Sequence, residues 1–242
     1  MVSQNEGPRR PRKPSKPIAD GPPPEEYAWA ESALNQEYMA QFRDAIALGR
    51  AGDFKGAAEV SRKAISASEA EGGIHEASVI LTFLPALLPG ALPDEALKLA
   101  HRVVSLTADW PGYGYLTSHA RFFAMQAQLK PDRKSAALEE AEACVVAGRD
   151  SKTHCKWLGT AWRYYGMLRA LAGRMPEAIL ALSNSIEIAK DKPTDDPLAL
   201  AKAYDAMGRT LIETNAHAPG LASLDKAIVE YQNQGAQVGG SR

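Results

Sequence analysis

Residues 162–182 read WRYYGMLRALAGRMPEAILAL, and this stretch decides the fold. Apolar residues recur at three- and four-residue intervals on either side of Gly173, which is the period of two short helices with a break between them. Gly166 precedes the break and Ala178 follows it. In an antiparallel helical hairpin these two positions lie where the helices cross, and only a small side chain there lets the backbones approach closely. Trp162, one turn before Gly166, has the bulk to fill the space toward a neighbouring hairpin.

The same rhythm extends outward in both directions. Breaks containing Gly or Pro recur every 15–20 residues, and no segment carries the alternation of a strand. The pattern predicts ten helices in five antiparallel pairs: 27–50 with 53–71, 75–88 with 93–107, 115–129 with 132–148, 154–172 with 175–190, and 196–214 with 218–233. Pro93 and Pro197 suit first helical turns, where a missing N–H costs nothing. Asp196 is placed to cap the helix opened by Pro197, and Asp94 and Glu95 suit the positive end of theirs.

Trp162, Gly166, Gly173, Ala178 and Leu182 fall at relative positions 0, 4, 11, 16 and 20. This spacing resembles the tetratricopeptide repeat, W-x2-L-G-x2-Y followed by a turn and A-x3-F. Tyr165 stands in for the family Leu, Arg169 for the Tyr and Leu182 for the Phe. Partial matches occur at Tyr204, Gly208, Leu211, Gly220, Leu224 and Ala227, and at Ala45, Gly52, Phe54, Ala57 and Ala64. Ala96 with Val103, and Ala136 with Ala143, mark the second helices of the second and third pairs. The separation of Gly166 from Gly208 is 42 residues, against about 34 in the family, so longer helices or connections are expected. The resemblance implies an all-α, right-handed α-solenoid of about five antiparallel hairpins whose first helices line a concave face.

Composition agrees with a helical protein. Of 242 residues 45% are hydrophobic, 24% charged and 7% aromatic, and Ala, the strongest helix former, is the favourite residue. The net charge of −1 gives no global attraction to nucleic acid or membrane. Residues 1–25 form a Pro-, Arg- and Lys-rich segment, with Pro8, Pro11, Pro14 and Pro17 at the period of a polyproline II turn. Disorder is expected there, in 26–233 the repeat domain, and in 234–242 a flexible tail. The cations of the first segment offer a docking peptide or a salt-sensitive hold on nucleic acid. The longest apolar run, 80–92, is interrupted by Pro85 and Pro89 and is too short to span a bilayer. The N-terminus has basic residues without the apolar stretch of a secretory signal. Cys144 and Cys155 make no disulfide framework. A cytoplasmic location is expected.

The motifs of catalysis are incomplete. His75-Glu76 opens like a zinc-protease helix, but Val79 stands where the second histidine is required. Residues 148–153 (GRDSKT) lack the glycine of a phosphate loop and read as a connection. His154-Cys155 has no metal-site spacing, and the pairs Glu139-Glu140 and Asp195-Asp196 read as solvated helix ends. The turn 110–115 (WPGYGY) reads as packing beneath a connection. No cofactor, no metal and no enzymatic activity are expected.

The resemblance implies an interaction scaffold or adaptor that holds a peptide or protein segment in its groove. The alternatives are a structural subunit of a larger assembly and nucleic-acid association through the basic segment. The repeat register nominates Arg121, Arg163, Arg209, Lys202 and His119 as groove residues. Arginines on successive first helices would favour an acidic or phosphorylated ligand. The competing expectation is that they pair with acids such as Asp205 and hold hairpins together. Chaperone-tail recognition is not supported: that clamp uses lysines and asparagines at fixed positions, and Arg163, Met167, Lys202, Asp205, Ala206 and Arg209, which fall at such positions, include no asparagine.

Overall fold

The computed structural model describes residues 36–87, 93–108, 113–151, 156–191 and 196–239. The proline-rich segment, His154-Cys155, Asp195 and Trp110 lie outside the described residues, as do the expectations attached to them. Ten α-helices follow in chain order: α1 (Gln36–Arg50), α2 (Phe54–Ser68), α3 (Gly73–Leu87), α4 (Pro93–Thr107), α5 (Gly114–Ala127), α6 (Lys134–Asp150), α7 (Leu158–Leu171), α8 (Met175–Asp191), α9 (Ala199–Glu213) and α10 (His217–Gly239). A single 3-10 turn, Pro131–Arg133, precedes α6. The described residues contain no strand.

Consecutive helices pair into five hairpins, and each second helix packs against the first helix of the next hairpin. The first helices α1 and α3, α3 and α5, and α7 and α9 also touch, while the second helices make no comparable contact with one another. The chain is therefore a single-file stack with first helices along one side.

A regular crossing register runs through the stack. Ser118 and Cys144 exchange bonds between α5 and α6: the Ser118 hydroxyl donates to the Cys144 carbonyl at 3.0 Å, and Cys144 Sγ reaches the Ser118 carbonyl at 3.1 Å. Twenty-six residues separate the two. The same offset joins Gly159 to Ser185, whose hydroxyl donates to the Gly159 carbonyl at 2.7 Å. It also joins the buried pairs Tyr38 and Ala64, Ala77 and Val103, and Ala201 and Ala227. The first members, Tyr38, Ala77, Ser118, Gly159 and Ala201, are 39, 41, 41 and 42 residues apart. The repeat is thus longer than the tetratricopeptide average. The extra residues sit in the 17-residue second helices α6 and α8 and in the seven-residue connections after them. The turns inside hairpins stay short, with Gly173 at φ 75° and Asn215 at φ 62° supplying left-handed backbone.

In the fourth and fifth hairpins the helices also approach closely nearer the turn. A Cβ on Gly166 would lie 2.7 Å from Leu182 Cγ and 3.1 Å from the Ala178 carbonyl. A Cβ on Gly208 would lie 2.9 Å from the Gly220 carbonyl. Trp162 packs toward the preceding hairpin, against the clusters that hold Phe123 and Met125.

Two boundaries differ from expectation. The α10 helix continues to Gly239, past 233, because Gln232 to Gln237 contains no proline and is dominated by residues that tolerate helix. Asp196 does not cap α9 directly. Its carboxylate accepts the Leu198 N–H at 3.0 Å in the turn before the helix and meets Lys202 Nζ at 2.7 Å.

Charges hold the second helices in line. Arg62 on α2 makes two 2.8 Å bonds to Glu95 on α4, and Arg133 reaches Asp94 at 2.6 Å. Both carboxyls are held below their ordinary range by these guanidinium bonds. Glu140 is buried in the middle of α6 and receives His101 of α4 at 2.7 Å and Arg121 of α5 at 2.8 Å. It is no solvated helix end, as its sequence context suggested. Gly148 is likewise inside α6, where the missing side chain makes room for Leu158 and the Ser118 hydroxyl.

The third and fourth hairpins meet through an aromatic stack. Trp157, just before α7, lies parallel to His119 with centroids 3.9 Å apart, and its indole N–H donates to the Ser118 hydroxyl at 3.1 Å. Burial pushes the His119 imidazole down from 6.5 to about 4.

Two predictions follow from this packing. Gly166→Leu should destabilise the protein by at least about 1–3 kcal/mol, the cost of overpacking a filled crossing; a melting temperature equal to wild type would refute the register. His119 concerns pH. Above 6.5 it is neutral folded or unfolded, but as pH falls toward about 4 only the unfolded chain gains its proton. Stability on the order of 3 kcal/mol is lost across that window. Thermal melts of wild type and His119→Phe from pH 7 to about 4 should diverge, wild type falling more steeply; parallel curves would show that His119 is not buried.

Candidate functional site

The crossing register places side chains on the open side of the first helices. Four residues after each crossing come Phe42, Leu81, Phe122, Arg163 and Asp205. One turn further come Ile46, Pro85, Gln126, Met167 and Arg209. The face is therefore graded. It is mainly apolar along the first three hairpins, where Leu81 and Phe122 are buried and Gln126 is the polar exception, mixed on α7, and charged on α9, where Lys202, Asp205, Arg209 and Glu213 share it.

On α7 the face is unusually bare. Met167 is 38% and Leu171 66% exposed, and Leu129 at the end of the third hairpin's first helix is 41% exposed. Arg163 lies among them. Its guanidinium sits 4.5 Å from the centre of the Tyr164 ring and donates to Met167 Sδ at 3.6 Å. Its Nε is buried without a hydrogen-bond partner, and no carboxylate pairs with it.

The five nominated residues separate on this geometry. Arg163 and Arg209 share the face but stand one turn apart in register, since 46 residues separate them where the repeat requires 42. Arg209 is spent on Asp205, with Nε 3.0 Å from both carboxylate oxygens. Lys202 is spent on Asp196. His119 has the register of Lys202, yet its ring is covered by Trp157 and Phe123. Arg121 has the register of Trp162 instead, and points to Glu140 on the second helix. A continuous basic strip does not form. Arg121, Arg209 and Lys202 each pair with an acid, but within their own hairpin, so these pairs do not join neighbouring hairpins. Arg163 is left without an acid partner.

One tie was not visible in the sequence. Arg169, read as a stand-in for the family tyrosine, is buried and joins three helices. It bonds the Tyr165 hydroxyl at 2.7 Å, Glu142 of α6 at 3.1 Å and Glu177 of α8 at 3.0 Å, and lies 4.9 Å from the Tyr165 ring centre. Tyr165 four residues earlier was the available signal. Among the described residues no group of three His, Cys, Asp or Glu side chains could hold a metal ion, and no helix is long and apolar enough to cross a membrane.

No family model matches the sequence, and no curated protein matches it. Solved structures do. A crystal structure of MamA is matched with TM-score 0.57 at 17% identity, over 79% of this chain and 96% of that one. The apo form of RapI is matched with TM-score 0.67 at 15% identity, over 83% and 72%. A Podosopora anserina putative kinesin light chain with nearly identical TPR-like repeats is matched with TM-score 0.65 at 13% identity, over 84% and 98%. With the 39–42-residue register and the small-residue crossings, these likenesses show that the chain has a TPR-like helical-repeat fold, an all-α right-handed solenoid of five antiparallel hairpins.

Proposed function

We propose that this protein is a non-enzymatic interaction scaffold that holds a peptide or protein segment along the open face of its first helices. The observation that carries the reading is Arg163. A guanidinium with a buried, unbonded Nε costs free energy unless a partner arrives, and Arg209 and Lys202 on the same face already have acid partners. A carboxylate or phosphate on the ligand supplies that partner in a planar, two-pronged fit. Met167, Leu171 and Leu129 flank it with exposed apolar surface beyond what an isolated side chain needs. The preferred ligand is thus a segment with one anionic group beside bulky apolar residues, rather than a highly acidic run. The charged end of the face, with Glu213 exposed on α9, repels long acidic stretches and sets a direction along the groove. The location we assign is cytoplasmic, consistent with two cysteines that make no disulfide framework.

The test is selection from a displayed peptide library containing neutral, acidic and phosphorylated members. Enriched peptides should pair an anionic residue with apolar neighbours, and Arg163→Glu should abolish their binding while leaving the melting temperature within about a degree or two. Absence of enrichment, or binding that survives Arg163→Glu, would overturn the assignment.

A further inference from the structure

The two ends of the stack are unequal. In the fourth hairpin, Ile179 and Ile186 of α8 pack with Ala203, Tyr204, Ala206 and Met207 of α9 in one cluster. Adding the 42-residue repeat carries Ile179 to Leu221 and Ile186 to Ile228 on α10. Among the described residues no further hairpin packs on α10, and Leu221 and Ile228 are 57% and 53% exposed. The α10 helix thus carries the apolar face of an interior repeat, one that buries its outer side against a following hairpin.

At the opposite end, the residues of α1 in register with that α9 surface are Ala40, Arg43, Asp44 and Ala47, matching Ala203, Ala206, Met207 and Thr210. All four are exposed. The two alanines, seven residues apart, keep the small-residue profile that lets α9 approach α8. The apolar Ala206 and Met207 are replaced by charges. On α10 the residue between Leu221 and Ile228 is the exposed Asp225, in register with Ser183. Arg43 and Asp225 make no ion pair within the chain, and they sit at corresponding places on the two ends.

We infer that a second copy of this chain stacks head to tail, its α1 seated on the Leu221–Ile228 face of α10 as α9 is seated on α8, with Arg43 meeting Asp225. A two-fold pairing of α10 with α10 is disfavoured, because it brings two unpaired Asp225 side chains onto one apolar face. Association is weaker than the internal junction, since α1 offers no counterpart of Tyr204 or Met207. A head-to-tail contact uses different surfaces on each copy and does not close at two, so it builds a series or a ring. This inference stands apart from the groove and does not rest on Arg163.

Sedimentation velocity of the full-length chain over a concentration series tests it. The mean mass should rise steadily with concentration past that of a dimer. Leu221→Glu should abolish the rise. Arg43→Asp and Asp225→Arg should each shift the midpoint to about tenfold higher concentration, the weight of one interfacial charge pair, and the two combined should restore it. All three substitutions are on exposed positions, and unchanged circular-dichroism melts confirm that the fold survives. A chain that stays monomeric throughout would overturn the proposal. So would a closed dimer indifferent to Arg43→Asp, which would mark an α10–α10 interface, or single charge variants whose combination fails to recover association.

Discussion

The close crossing of two helices within each hairpin is the constraint on which everything else depends. At Gly166 and Gly208 the neighbouring carbonyl or leucine already occupies the space a side chain would need. That proximity lets Leu182 and Leu224 reach across, and it sets the distance at which each second helix meets the following hairpin. Nearer the other end, Ser118 with Cys144 and Gly159 with Ser185 fix the angle by bonding side chain to backbone carbonyl. Small residues bring the helices together, and these polar pairs specify their registration. In the other three hairpins the same positions hold buried apolar pairs, Tyr38 with Ala64, Ala77 with Val103 and Ala201 with Ala227.

Because each hairpin is thin, its stability is borrowed from its neighbours. The core divides into three clusters that overlap at the hairpin boundaries, with Leu158 of α7 packed into the first and Phe122 of α5 into the second. The His119–Trp157 stack and the Arg169 tie sit at the same seams. They bring aromatic surface and multiply bonded charge to places where simple apolar packing is thinnest. The paired charges of α2, α4 and α6 do the same along the other side, though exposed pairs such as Arg62–Glu95 contribute little individually.

Periodicity made the helices, the hairpin pairing and the crossing glycines legible in the sequence. Gly166 and Ala178 could be placed because steric exclusion is local and leaves a fixed spacing. The long repeat was visible from Gly166 and Gly208 alone. What could not be read was the fate of the charges. Glu140 looks like any helical glutamate beside another, and its burial arises only because His101, 39 residues earlier, arrives above it. Arg121 was placed on the groove because a drift of one residue in a degenerate template rotates a side chain by roughly 100° around a helix. The crossing bonds of Ser118 and Cys144 fix that register, and the sequence holds no comparable mark in the third hairpin. Arg163 was found for its position, but its lack of an acid partner is a property of what surrounds it.

In the first, fourth and fifth hairpins the turn between the two helices has three residues, while the connections after the third and fourth hairpins have seven. In the fourth and fifth hairpins the short turn and the tight crossing leave almost no play between the two helices. Away from the crossings, the charge pairs that link second helices, Arg62 with Glu95 and Arg133 with Asp94, stand at the exposed surface. Salt, which screens such pairs without touching the crossings, therefore acts on the joints of the row while each hairpin keeps its shape.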